Sequence, residues 1–208
     1  MAHINLEGFS FSIGSRRLPF KGFFDGQLCE ISGFTYRDAS SKAGGLFAYT
    51  KGADIKKLVL RDFTVEASVA GGLIAFASKT HIESILLRNL DIRGSIAAGG
   101  LFGASTALKV LKISVLDSSI ESASLVGAIG GKMVALNLGE SVIRYFYNFN
   151  NQVSGSQGVG GLIGGGQLVT IREGISHDRV RARELAGGLI GVATEMNVTH
   201  VLSLTKVL

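Results

Sequence analysis

The residues in this chain best suited to chemistry are arginines set beside carboxylates. Arg37-Asp38, Arg61-Asp62 and Arg88-Asn89 occupy similar places in successive segments, followed by Leu116-Asp117. If those segments stack, three guanidinium groups form a row beside a row of Asp, Asp, Asn and Asp. Such a row can grip a carboxylate or phosphate bidentately. Equally, each arginine can be neutralised on an outer corner by its neighbouring carboxylate, with little net energy. A second basic run, Arg179-Val180-Arg181-Ala182-Arg183, alternates with small apolar residues, so on a strand its arginines share one face. That face suits either a phosphate or glycan contact or plain solvent. It lacks the interleaved aromatic platforms of a nucleic-acid binder, and no nucleic-acid partner is expected.

The other reactive residue types point away from catalysis. His3, His81, His177 and His200 never fall at metal-ligand spacing, so no metal site is expected. Cys29 is the sole cysteine, which excludes an intrachain disulfide. Just ahead of an apolar run, it reads as a small hydrophobe rather than a nucleophile. A polysaccharide lyase or hydrolase needs a clustered acid/base set on one face, and none is visible. The expectation is a protein without enzymatic activity, catalytic residues or cofactor.

These side chains must be positioned by a repeat. Ala43-Gly44-Gly45-Leu46-Phe47-Ala48 returns at residues 70–75, 98–103, 159–164 and 186–191, with a weaker copy in Val126-Gly127-Ala128-Ile129-Gly130. Taking Gly45, Gly72, Gly100, Gly127, Gly161 and Gly188 as the repeated glycines, the spacings are 27, 28, 27, 34 and 27. A period this regular signals a solenoid. Within each repeat, Ile31-x-x-Phe34-x-Tyr36 is matched by Ile55-x-x-Leu58-x-Leu60, Ile82-x-x-Ile85-x-Leu87 and Val110-x-x-Ile113-x-Val115. Then come Phe63 and Val65, Leu90 and Ile92, Ser118 and Ile120. Apolar residues two apart show the strand period, and breaks of three mark corners. Glycine pairs and abundant Val, Ile, Thr and Ser oppose helix.

The predicted fold is therefore all-β: a right-handed parallel β-helix of about seven coils, roughly 27 residues each. It forms one domain over 1–208, with 1–18 as an N-terminal cap or irregular first coil and repeats over 19–208. His3–Leu6 and Phe9–Ile13 read as two short strands of that cap. Ile31, Ile55, Ile82 and Val110 are expected to stack in one interior column, and Phe34, Leu58, Ile85 and Ile113 in the next. The glycine pairs are assigned to a close approach of two walls or to positive φ. The single long spacing is read as a loop insertion at about 145–157, whose Tyr145, Tyr147, Asn148, Phe149 and Asn150 are the leading contact residues. Arg37, Arg61 and Arg88 are the second candidate contact.

Composition agrees with one rigid, core-bearing unit: 208 residues, 46% hydrophobic, 29 glycines and a single proline exclude collagen and argue against a flexible linker. The net charge of +5 is spread along the repeats, not clustered. No apolar stretch is long enough for a transmembrane helix. The first seven residues lack the basic start and apolar run of a signal peptide, which is also compatible with an export signal upstream of Met1.

The order Pro19-Phe20-Lys21-Gly22-Phe23-Phe24-Asp25-Gly26-Gln27, Ile31-Ser32-Gly33-Phe34, Gly44-Gly45-Leu46-Phe47 and Ile55-Lys56-Lys57-Leu58 resembles the GLUG-motif repeats of bacterial surface proteins. The likeness covers roughly 19–200. It departs where Gln27-Leu28-Cys29 replaces the family's turn and where Lys or Ser replaces the Asn of I-x-N-L. The resemblance implies a β-helical segment of a secreted or cell-surface protein, adhesin-like, of a kind also found in the non-catalytic part of immunoglobulin A1-specific metallopeptidases. No His-Glu-x-x-His occurs here, so metallopeptidase chemistry is not implied. Two alternatives stay open: a small effector or intracellular scaffold binding a host protein, and a polysaccharide-active enzyme using the arginine row. The expected partner is a host or matrix protein or glycan.

Overall fold

Alternation in twos, broken by threes, becomes three flat walls joined at corners. The structure is a computed structural model that describes residues 2–137 and 140–208; Met1, at the start of the expected cap, and Leu138 and Gly139 lie outside it. The described residues contain strands and turns but no helix. Every strand pairing is parallel, each strand lying against its equivalent one coil on. The chain is a parallel β-helix of about seven turns. At ~4.8 Å per coil it forms a rod roughly 35 Å long.

The first wall is built from Phe23–Ser32, Asp54–Arg61, His81–Arg88, Lys109–Leu116, the starts of Ser141–Gly155 and Val169–Ala182, and Asn197–Ser203. The second holds Thr35–Arg37, the equivalent stretches through Ser119–Ser122, and Lys206–Val207. A short segment containing the repeated glycines turns the chain into the third wall, Phe47–Lys51, Ile74–Ser78, Phe102–Thr106, Gly130–Val134, Ile163–Gln167 and Ile190–Thr194. Left-handed residues make the bends in columns. Asp62, Asn89, Asp117 and Asn150 form one corner; Lys79, Ala107, Leu168 and Glu195 another; Lys57, Ser84, Lys112, Tyr145, Glu173 and His200 kink the middle of the first wall. Asp and Asn tolerate this conformation best. In the corner column Asn89 Nδ2 donates to Asp62 Oδ1 (2.5 Å), and Asn150 Nδ2 to Asp117 Oδ1 (2.9 Å).

Glycine is required here for room, not for φ. A Cβ on Gly71, Gly99, Gly160 or Gly187 would run into the carbonyl oxygen three residues ahead, of Ile74, Phe102, Ile163 and Ile190 respectively, and none of these four has positive φ. Gly127 pairs with Gly99 and Gly160. It is thus the first glycine of its coil, and Ala128 holds the second place. The expected phase of the weak copy is off by one residue.

The interior columns also differ from expectation in the first coil. Ile55, Ile82 and Val110 stack as foreseen, and Ile143 and Ile171 continue the column, but its first-coil member is Phe24. Cys29 starts the column of Leu58, Ile85 and Ile113, and Ile31 stacks on Leu60 and Leu87. The cause is an ambiguity in the pattern. Leu60-x-x-Phe63-x-Val65 has the same spacing as Ile55-x-x-Leu58-x-Leu60, because each left-handed bend inserts the same break. Ile31-x-x-Phe34-x-Tyr36 belongs with the former, across the corner.

The long coil is also resolved differently. Thr106 and Lys109, like Gln167 and Thr170, are separated by two residues, whereas Val134 and Val142 are separated by seven. The extra residues therefore lie between Val134 and Val142. Residues 145–157 are not an insertion: Ser141–Gly155 is one continuous strand paired in parallel with both neighbours, its register against the following coil shifting once, between Phe149 and Gln152. Aromatic and polar residues had suggested a loop, but on a two-sided strand they alternate between solvent and interior.

At the N-terminal end, His3–Asn5 pairs with Glu30–Ser32, while Ile13 and Phe20 bridge to Phe47 and Thr50. Residues 9–12 are not a strand. This partial coil lays Leu6, Ile13 and Phe20 over the core.

The core changes chemistry along the rod. At the first corner, Phe34, Phe63 and Leu90 give way to Ser118, Asn151 and Asp178, all buried. Each polar side chain accepts the backbone N–H of the coil before it: Leu90 N–H to Ser118 Oγ (3.1 Å), Ser118 N–H to Asn151 Oδ1 (3.0 Å), Asn151 N–H to Asp178 Oδ1 (3.0 Å). Asn151 Nδ2 adds bonds to Val115 O (2.8 Å) and Asp178 Oδ1 (2.7 Å), and Ser176 Oγ donates to Asp178 Oδ2 (2.9 Å). Burial pushes the Asp178 carboxyl above the usual aspartate range, against the pull of these donors and of His177.

Candidate functional site

The outer face of the first wall carries the surface with the most exposed aromatic side chains. Along Ser141–Gly155, Val142, Arg144, Tyr145, Tyr147 and Phe149 leave the core side, and Ile143 and Phe146 are buried in it. Tyr145, Tyr147 and Phe149 are 46%, 43% and 41% exposed. The rings of Tyr147 and Phe149 lie parallel within 5°, centroids 6.1 Å apart, and Phe149 packs on His177 of the next coil at 5.2 Å. Parallel register adds Ile175 and then Leu202 beside Tyr147, both exposed. Tyr145, Tyr147, Ile175 and Leu202 border a shallow depression of about 820 Å³ that also reaches Lys112 and His200.

Ion pairing steadies this face. Arg144 forks onto Glu173, Nε to Oε2 at 2.5 Å and Nη2 to Oε1 at 3.2 Å, and its guanidinium sits 4.5 Å from the Tyr145 ring centroid. The Arg144 hydrogen bond holds the Glu173 carboxyl below its ordinary range. One coil earlier, Lys112 Nζ donates to Glu83 Oε1 (3.1 Å) and lowers that carboxyl in the same way.

The other expected contact residues are dispersed. Asn148 points inward and is fully buried, its Nδ2 reaching Gly161 O at 3.4 Å and its Oδ1 without a partner. Asn150 belongs to the corner column. Asn148 cannot be a surface contact alongside the three aromatics, a direct result of strand alternation, whereas Asn150 is exposed next to Phe149. The arginine row is two residues long, not three: Arg61 pairs with Arg88, Ser32 stands at the first-coil position, and Arg37 lies on the second wall opposite Glu66. Arg61 Nη2 meets Glu30 Oε1 at 2.9 Å, and Arg88 Nε meets Asp117 Oδ2 at 3.3 Å. Both guanidinium groups are thus occupied by carboxylates. Arg179 and Arg181 do share the outer face, with Val180 buried between them.

His3 bonds Ser32 Oγ (2.7 Å), His81 faces Asp54 (3.5 Å) and His177 packs at a tilt against Phe149. Among the described residues, no three His, Cys, Asp or Glu are grouped so as to hold a metal ion. The described residues contain no helix long and apolar enough to cross a membrane. One feature escaped sequence reasoning: Tyr49 and Phe76, half-buried on the third wall, stack with centroids 5.0 Å apart and 8° between planes. Their 27-residue separation, equal to the repeat period, was the available signal.

No protein-family model matches this chain, and no curated protein and no solved structure is significantly similar to it.

Proposed function

We propose that this chain is a non-enzymatic β-helical segment of a bacterial secreted or surface protein, a rigid rod presenting an adhesive face to a host or matrix protein or glycan. The observation carrying this reading is the aligned, solvent-facing set of Tyr145, Tyr147 and Phe149, extended by Ile175 and Leu202. Large rings displayed on a scaffold held rigid by continuous parallel ladders are low-entropy contact groups. The likeness of residues 19–200 to GLUG-motif repeats supports the same role.

Tyr145→Ser, Tyr147→Ser and Phe149→Ser combined alter the outer face alone. The triple variant should keep the β-rich circular dichroism of the parent and lose binding to immobilised matrix proteins and glycans. Unchanged binding with an unchanged fold would remove this face as the contact. The polysaccharide-active alternative loses most of its ledge to register and ion pairing; new reducing ends or unsaturated products from acidic polysaccharides would revive it. An effector or scaffold role predicts instead a protein partner met inside a cell.

A further inference from the structure

On the outside of the third wall, Tyr49, Phe76, Ala104 and Lys132 occupy one column, each in register with the next. The first two carry parallel rings, and the stack then stops at a methyl group. Beside this column runs Val69, Ala97 and Leu125, likewise in register. At the level of Ala104 both neighbouring columns therefore present alanine, whereas the coil before presents Phe76 and Val69 and the coil after presents Lys132 and Leu125. The result is a hollow one coil deep, with the face of Phe76 at one end. It belongs to a groove of about 780 Å³ whose side is closed by exposed Ile96.

The charges around the groove are of one sign. Arg16, Lys51 and Lys132 border it, and no carboxylate does. Among the described residues none of these three cations forms an ion pair. We infer that the hollow over Ala104 is a binding site for a planar aromatic ring carrying a negative charge, an aryl carboxylate or aryl phosphate. The ring continues the Tyr49–Phe76 stack, and the anion faces Lys132. Coil spacing of ~4.8 Å matches the separation at which Tyr49 and Phe76 already stack, so the ring fits without displacing either residue. The aromatic face supplies preference for flat rings, and the unpaired cations supply preference for anions.

The test uses the whole chain, with phenyl phosphate and benzoate as probes and inorganic phosphate and cyclohexanecarboxylate as controls. Calorimetry gives affinity, and the Ala104 methyl resonance reports ring stacking. An upfield shift of that methyl with either aryl anion is expected, and the relative affinities tell phosphate from carboxylate. Cyclohexanecarboxylate should bind about tenfold more weakly than benzoate. Ala104→Phe fills the hollow from within the chain and should abolish binding. Lys132→Met should retain the methyl shift but weaken binding and lessen its salt dependence, Arg16 and Lys51 remaining at the rim. Phe76→Leu should erase the preference for flat rings. Equal binding of benzoate and cyclohexanecarboxylate, undiminished affinity in Ala104→Phe, or no methyl shift at millimolar probe would each overturn the inference.

Discussion

Replacing Asp178 by asparagine should stabilise this protein at neutral pH, by an amount that grows with pH. Asp178 is 2% exposed and has no cation among its hydrogen-bond partners. Its Oδ1 accepts from the backbone N–H and Nδ2 of Asn151, and its Oδ2 from Ser176 Oγ. Asparagine keeps both Oδ1 bonds. Its Nδ2 then donates to Ser176 Oγ, whose own proton can turn toward Thr205 Oγ1 (3.2 Å). Geometry is preserved while a buried charge is removed. Relieving an uncompensated buried carboxylate is worth about 1–3 kcal/mol, and at about 2–4 °C per kcal/mol the melting temperature should rise by several degrees.

The pH dependence has a definite sign. The native carboxyl is raised above its ordinary value of 3.8, with burial as the largest cause. The native state therefore holds the proton more tightly than the unfolded chain, and this contribution is complete below the unfolded value. It is lost as pH climbs through the native one. The carboxyls of Asp38, Glu83 and Glu173 are shifted the opposite way, so the informative quantity is the difference between parent and Asp178→Asn. Thermal melts from pH 4 to 8 should show that difference widening toward high pH. A flat difference, or an asparagine variant less stable than the parent at pH 7, would refute the reasoning and make Asp178 a well-solvated, ionised member of the ladder.

Other perturbations follow from the same packing. Gly99→Ala should cost at least about 2 kcal/mol in chemical denaturation, because its Cβ meets three backbone groups, of Phe102, Ile129 and Gly130; Gly165→Ala, which meets only Leu125 side-chain atoms at 3.3 Å or more, should be near neutral. Gly174→Ala collides with the Phe146 ring; adding Phe146→Leu should recover part of the loss, with a coupling of about 0.5–3 kcal/mol in a double-mutant cycle. Phe102→Ala should cost about 3–5 kcal/mol by urea unfolding, since the ring is fully buried and covers Gly130.

How much of this was legible beforehand depended on distance along the chain. The glycine period and the two-residue alternation demanded coils of parallel strands, because only one flat, regularly bent path satisfies both. Which face of a strand Tyr147 or Phe149 would take was undetermined while the segment was read as a loop. Once it pairs as a strand, alternation sends Asn148 inward and the rings outward. The place of the extra residues was equally obscure, since a glycine count measures the length of a coil and not where the surplus sits.

The sequence by itself determined that this chain winds into a parallel β-helix of about seven coils with aliphatic columns inside. Hydrophobic spacing and tight glycines are local requirements that any reader of the chain can apply. Only the tertiary structure decided which residues become neighbours between coils. Identical spacing patterns on either side of each bend left the register of the first coil ambiguous by five residues, and register is settled by pairing across roughly 27 positions. That pairing separated Arg37 from Arg61 and Arg88, joined Asn151 to Asp178, and set Tyr49 on Phe76 with a gap above Ala104.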